Sequence, residues 1–167
     1  VANTARYGTF ENTVGLSVTW DLQDVTLSAG YDHLNFISPQ SEFKVQDRAA
    51  ELLFARAGLQ VHPRVMVGLE GTASFTKYQQ SYLNDNTGYS LGAYADWRTG
   101  AHCRVQPRCG YALYRFDQNS QFIKADDRSS YWYADLTVTH QPTDILSYSF
   151  SAGRERRPGV QSDLIED

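Results

Sequence analysis

The chain has 167 residues, a formal net charge of −4 and 41% hydrophobic residues, with 11 tyrosines and a single methionine. No stretch of about 18 consecutive apolar residues occurs, so the sequence predicts no membrane-spanning helix. Nucleic acid is excluded as an expected partner, because the charge is negative and mixed and no long basic run is present. We expect residues 1–167 to form a single structural unit.

Strict alternation of apolar and polar residues predicts eight β-strands in chain order, separated by clusters of turn-forming residues. The predicted strands cover about 12–21, 25–36, 50–61, 65–78, 88–97, 103–116, 131–140 and 145–153. They are longer than the usual strand of about 5 to 6 residues and suit tilted strands that cross a membrane in about 9 to 11. The sequence therefore indicates an all-β, antiparallel, up-and-down protein.

Successive side chains of a strand point to opposite sides, so each predicted strand contributes to two faces. One set of positions, which we call the apolar face, includes Leu16, Leu69, Ala93 and Leu136. None of its positions is charged across 14–20, 25–31, 53–59, 65–75, 89–97, 103–113, 132–138 and 146–152. The other set, the polar face, is rich in Gly, Ser, Thr and charged residues. A soluble sandwich or barrel would bury the apolar face, whereas a transmembrane barrel would turn it toward lipid.

Three features favour the transmembrane β-barrel. The apolar face is rich in alanine and aromatic residues rather than in the leucine and isoleucine of a close-packed core. Short connections alternate with long ones at 37–47, 79–86 and 117–129, as in barrels with short periplasmic turns and long outer loops. Aromatic residues lie toward the strand ends, where interfacial girdles form, and the predicted girdle consists of Trp20, Tyr31, Phe75, Tyr89, Trp97 and Trp132.

The hairpins "GYALYRFDQ" and "YADLTVTHQPTDILSYSFSAGRE", with their long polar loops, resemble the outer-membrane β-barrel porins of Gram-negative bacteria. The resemblance implies an outer-membrane channel without cofactor that passes small polar solutes or exports a polymer. It implies lipid and lipopolysaccharide as surroundings, with other subunits or a periplasmic protein as further partners. Alternating connections would place both ends of the chain outside, so we expect the eight strands to be part of a larger barrel.

Charged residues on the polar face are the candidate functional residues, because opposed basic and acidic groups in a lumen create a field that acts on passing solutes. Ion pairing that only stabilises the wall is the alternative role, and the two roles are compatible. The predicted lumen-facing charges are Asp32, Arg56, Glu70, Asp96, Arg104, Arg108 and Asp135.

The sequence is also compatible with two other functional classes. An outer-membrane lipid-modifying enzyme would use Ser74, Asp32, Tyr114 or His33 near the outer rim, but no Ser-His-Asp arrangement can be recognised in the sequence. An adhesin or scaffold would act through the long outer loops. A metal site is not expected, because His62, His102 and His140 belong to different hairpins and no carboxylate or thiolate accompanies them at ligand spacing.

Both cysteines lie in "AHCRVQPRC". In one extended strand, Cys103 and Cys109 would be about 20 Å apart, too far for a disulfide, and both would lie on the apolar face. A tight turn at Val105–Arg108 would instead bring them together. Pro107 cannot donate a hydrogen bond, so a bulge or local break is expected there.

Overall fold

The computed structural model describes residues 9–39, 41–118, 127–143, 145–154, 157–158 and 165–166. Eight long strands dominate it, and a six-residue 3-10 helix at Ser41–Gln46 lies between the second and third. The long strands are β1 (Phe10–Leu22), β2 (Val25–Ile37), β3 (Arg48–His62), β4 (Val65–Tyr78), β5 (Asn86–Arg98), β6 (Cys103–Phe116), β7 (Arg128–Thr143) and β8 (Leu146–Arg154). Two-residue strands β9 (Arg157–Pro158) and β10 (Ile165–Glu166) pair only with each other.

Each long strand pairs antiparallel with the next, giving one sheet in the order β1 to β8. The predicted all-β antiparallel meander of eight strands is therefore confirmed. The sheet is not closed: within the described residues β1 pairs only with β2, and β8 only with β7. In that same part of the chain, no helix is long and apolar enough to cross a lipid bilayer.

The apolar face is the exposed side of this sheet. Leu16 is 72% exposed, Leu69 60% and Phe150 67%, although all three lie within strands. The buried residues of strands β4 to β7, by contrast, include Glu70, Tyr131 and Tyr133 on the polar face. The strands thus expose large apolar side chains on one face and bury aromatic and charged side chains on the other.

Burial on the polar face and exposure on the apolar face, together with side-chain contacts between distant strands, indicate that the sheet curls toward its polar face. Tyr133 on β7 and Glu70 on β4 are three strands apart, which in a flat sheet is about 14 Å. The Tyr133 hydroxyl nevertheless reaches the Glu70 carboxylate at 3.3 Å. The polar face is consequently the concave side, and the apolar face is the convex side.

Strand β6 continues through Pro107 without a bulge, and of the two expected disturbances the structure shows a local break in the pairing with β5. The register between β5 and β6 is the same on both sides of the proline, from Tyr94↔Arg108 to Trp97↔Val105, with the two intervening pairs missing. On the other side, Pro107 pairs with Leu136 of β7. The lost N–H thus interrupts one ladder without shifting it. A tight turn is absent here, and Cys103 and Cys109 are both free thiols.

Two long connections are folded against the strand ends. Asp47 Oδ1 accepts a 2.6 Å hydrogen bond from the Ser38 amide, and Asp85 Oδ1 accepts one of 2.8 Å from the Tyr78 amide. Asn84, in the β4–β5 connection, is completely buried. These side chains close the connections that join the ends of β2 with β3 and of β4 with β5.

Candidate functional site

Six of the seven predicted lumen charges come together on the concave side, between β3 and β7. Sheet register brings them into range, because residues directly opposed on antiparallel strands point to the same face. The set contains three arginines and three carboxylates and is formally neutral. Its members are Arg56, Glu70, Asp96, Arg104, Arg108 and Asp135.

Glu70 is the centre of this cluster. Its carboxylate accepts a 2.6 Å charge-assisted hydrogen bond from Arg56, which is directly opposed on β3. On its other side lies Arg108 Nη1, at 3.8 Å, and the Tyr133 hydroxyl donates to it at 3.3 Å. The Glu70 side chain is only 7% exposed, and these three partners compensate for its removal from water.

Two further ion pairs extend the cluster toward the short turns. Arg108 donates through Nε to Asp135, its opposed residue on β7. Arg104 binds Asp96 through Nε, with donor–acceptor distances of 2.8 and 3.0 Å, and also through Nη2. Such two-point contact fixes the orientation of the guanidinium plane more firmly than a single contact does.

Two tyrosines support the arginines. The Tyr94 ring lies 5.3 Å from the Arg56 guanidinium carbon, and the Tyr133 ring lies 5.8 Å from that of Arg108. Both are cation–π distances. Tyr133 is directly opposed to Gly110, whose missing side chain makes room for the ring; a Cβ there would lie 2.5 Å from the ring carbon Cζ.

These tyrosines were not among the predicted site residues. Their sequence signal is the pairing of a large aromatic residue with glycine on the polar face, since Tyr94 is opposed to Gly68 just as Tyr133 is to Gly110. That signal is visible only once the strand register is known.

Two cavities open beside the ion pairs. One, of about 260 Å³, lies between Glu70 and a group of aromatic side chains that includes Tyr114 and Tyr131, whose rings stack at a centroid distance of 6.0 Å. The other, of about 350 Å³, is lined by all three arginines of the cluster. The concave side therefore offers charged, partly enclosed space to small solutes.

Asp32 stands apart from the cluster. Its carboxylate leans over Gly15 on β1, where a Cβ would overlap it, and it forms no ion pair with any residue that the structure describes.

The six predicted girdle residues are placed on the convex side by the register. Trp20, Trp97 and Trp132 are about half exposed, and Tyr89 packs edge to face against Phe75 at 6.4 Å. Tyr31 is opposed to Leu16 and Leu53. Arg154 stacks on Trp132 at 4.8 Å.

The residues considered for catalysis and metal binding do not converge. His33 is level with Phe75 and therefore on the convex side, whereas Ser74 lies on the concave side. His140 contacts Tyr148 at 2.6 Å, and His62 accepts a hydrogen bond from the Arg64 amide. In the described part of the chain, no three His, Cys, Asp or Glu side chains are grouped as metal ligands would be.

No protein-family model matches this sequence, and no curated protein is significantly similar to it.

Proposed function

We propose that this chain forms part of the wall of an outer-membrane β-barrel that passes small polar solutes through a water-filled lumen. Polymer export is the variant of this function that a wider lumen would allow. The observation that carries the proposal is the inverted distribution of side chains: the convex side is apolar and exposed, and the concave side carries an ionic network. Lipid outside and water inside would satisfy both sides.

The exposed apolar area supports a lipid environment. Each of the eight long strands carries exposed large apolar side chains. On the convex side they meet across strands, as where Leu16 is opposed to Tyr31 and Tyr31 to Leu53. A continuous apolar surface of this extent is unfavourable in water and marks a membrane or protein interface. Here it forms a band across the outer side of the sheet, which favours lipid.

The height of the apolar band also suits an outer membrane. On β4 it runs from Val65 to Phe75, about 33 Å along the strand and about 25 Å when the strand is tilted as in known barrels. Charged residues on the same side begin at its outer border: Glu51 and Arg115 are level with Phe75, and Lys77 lies two residues beyond it. These charges would meet the headgroups and lipopolysaccharide at the outer border.

The two open edges support a larger barrel. The convex-side residues Val14, Leu16 and Val18 of the edge strand β1 are all exposed, and charged residues that would discourage pairing are absent between Thr13 and Thr19. Strands β1 and β8 run in opposite directions, so further antiparallel strands, in even number, can bridge them. Closure would satisfy the unpaired backbone groups that lipid cannot.

Membrane orientation is tested with environment-sensitive labels in single-cysteine variants of a cysteine-free parent. Labels at Leu16, Leu69 and Leu136 should be quenched by brominated lipids, and labels at Ser28, Thr72 and Ser149 by a water-soluble quencher. The opposite result would establish a soluble fold. Ion current in planar bilayers tests the pore, and modified lipid without any current would establish an enzyme instead.

A further inference from the structure

The arginines and carboxylates of the concave cluster differ in how far they reach the surface. Exposure of the side chain is 49% for Arg56 against 7% for Glu70, and 48% for Arg104 against 17% for Asp96. The third pair follows the same order, with Arg108 at 39% and its partner Asp135 at 25%. In every pair the carboxylate is the deeper group and the guanidinium is the more accessible one.

The difference in exposure determines which charges a solute contacts. A cluster with equal numbers of positive and negative groups would appear neutral from a distance, but close contact is made with the groups nearest the surface. The arginines are held in place by the deep carboxylates and by the rings of Tyr94 and Tyr133, and their guanidinium groups stay accessible. The accessible surface of a formally neutral cluster is thus cationic.

The arginines also follow the direction of the strands. By sheet register, Arg108 lies two residues closer to the short turns than Arg56 does, and Arg104 lies four residues closer than Arg108. The series covers about 20 Å at 3.3 Å per residue. Arg98, opposed to Arg104, adds a fourth positive charge at that end and forms no ion pair within the described residues.

One cavity joins three of these arginines. The cavity of about 350 Å³ is lined by Arg56, Arg104 and Arg108, with Gln106 and Thr137 as neutral polar neighbours. The carboxylates Asp96 and Asp135 also line it, so three positive and two negative groups leave its lining with one excess positive charge. Its volume suits a small solute. Guanidinium groups match the geometry of carboxylate and phosphate oxygens and bind them through two parallel hydrogen bonds.

We infer that this cavity binds small free oxyanions, carboxylates and phosphates, and that it makes the passage selective for anions. The selectivity rests on the proposed pore function; the binding does not. The two are therefore tested separately, with inorganic phosphate as the probe for binding and with potassium chloride for selectivity.

Phosphate binding is measured by calorimetry on the full chain in a detergent without phosphate groups. We expect saturable binding that weakens about tenfold in Arg104→Gln, the loss of one charge-assisted contact. The matched control is Arg115→Gln, which removes the same charge from the same strand on the convex side and should leave binding unchanged. Equal loss in both variants, or no binding by the native chain, would overturn the assignment. Tighter binding of a short-chain phosphatidic acid would overturn the assignment to a free solute.

Selectivity is measured as the reversal potential across a bilayer with a potassium chloride gradient. The complete barrel that contains this chain should pass chloride more readily than potassium, and Arg104→Gln should lower this preference about twofold or more. Arg104→Lys keeps the charge and should retain the preference, which separates charge from altered folding.

The double variant Arg104→Gln with Asp96→Asn removes one positive and one negative charge. It should also lose the preference for chloride, because the deep carboxylate contributes less to that preference than the exposed arginine. A preference for potassium, or an unchanged double variant, would refute the selectivity. Phosphate binding without any current would refute the pore and leave the binding site standing.

Discussion

The hydroxyl of Tyr133 on β7 donates a 3.3 Å hydrogen bond to the carboxylate of Glu70 on β4, across the two intervening strands. Both side chains are less than 10% exposed. The contact joins the two halves of the curled sheet and gives the buried carboxylate its only described neutral donor. The contact therefore links the curvature of the sheet to the stabilisation of the charged cluster on the concave side.

Replacing Tyr133 by Phe should lower the free energy of unfolding by about 1 to 2 kcal/mol, because the buried charged acceptor loses a donor. Urea titration of the protein in lipid vesicles measures the change. Tyr89→Phe is the control, since Tyr89 is exposed on the convex side and its hydroxyl bonds to no described residue; it should change the free energy by less than about 0.5 kcal/mol. Equal effects of the two variants would contradict the role assigned to Tyr133.

Glu70→Gln should destabilise the protein by about 2 kcal/mol in the same titration. The variant leaves the Arg56 and Arg108 guanidinium groups without their shared counter-charge, although partial exposure of both arginines limits the cost. Asp32→Asn makes the same chemical change at a concave-side carboxylate outside the cluster and should be nearly neutral. A larger loss at Asp32 than at Glu70 would show that the cluster does not stabilise the fold.

Gly92→Ala should destabilise the protein by about 1 to 3 kcal/mol, because a Cβ at this position would overlap the Tyr133 hydroxyl and lie 2.8 Å from the Cys109 carbonyl oxygen. Gly71→Ala is the matched control, where the nearest atom to a Cβ is 3.5 Å away. Combined with Tyr133→Ala, the cost of Gly92→Ala should shrink. An unchanged cost in that background would mean that the ring does not occupy the space above the glycine.

Gln23→Gly should stabilise the protein by about 0.5 to 1 kcal/mol. Gln23 has a φ of 61° in the two-residue β1–β2 turn, a conformation that costs an L-residue free energy and that glycine adopts without strain. Asp24→Gly, at the second turn position, has no such strain to relieve and should be neutral or destabilising. Thermal unfolding of the two variants beside the native chain provides the comparison.

Much of the fold could be predicted because a strand repeats every two residues. Alternation located the eight strands, although most observed strands extend up to three residues beyond the predicted limits, as β7 does at both ends. Turn residues could not fix those limits, because the strand ends are set by pairing with a neighbour. Pro107 shows the same dependence: its effect on the ladder follows from which neighbour its missing N–H faces, and that is a property of the sheet.

The candidate site could be predicted in composition but not in arrangement. Parity placed seven charges on one face, and register then brought six together and left Asp32 aside. Tyr133 was missed as a site residue because its contact with Glu70 spans 63 positions of the chain and depends on the curl. The order of depth within each ion pair also depends on that curl.

The sequence by itself determined the strand count, the antiparallel order and the division of side chains into an apolar and a polar face, because all three follow from local periodicity and from connection length. Only the tertiary structure decided which way the sheet bends, which charges meet and how deeply each is buried. Those properties arise from contacts between strands that are not neighbours, as between Glu70 and Tyr133. A pattern of period two carries no information about such distances.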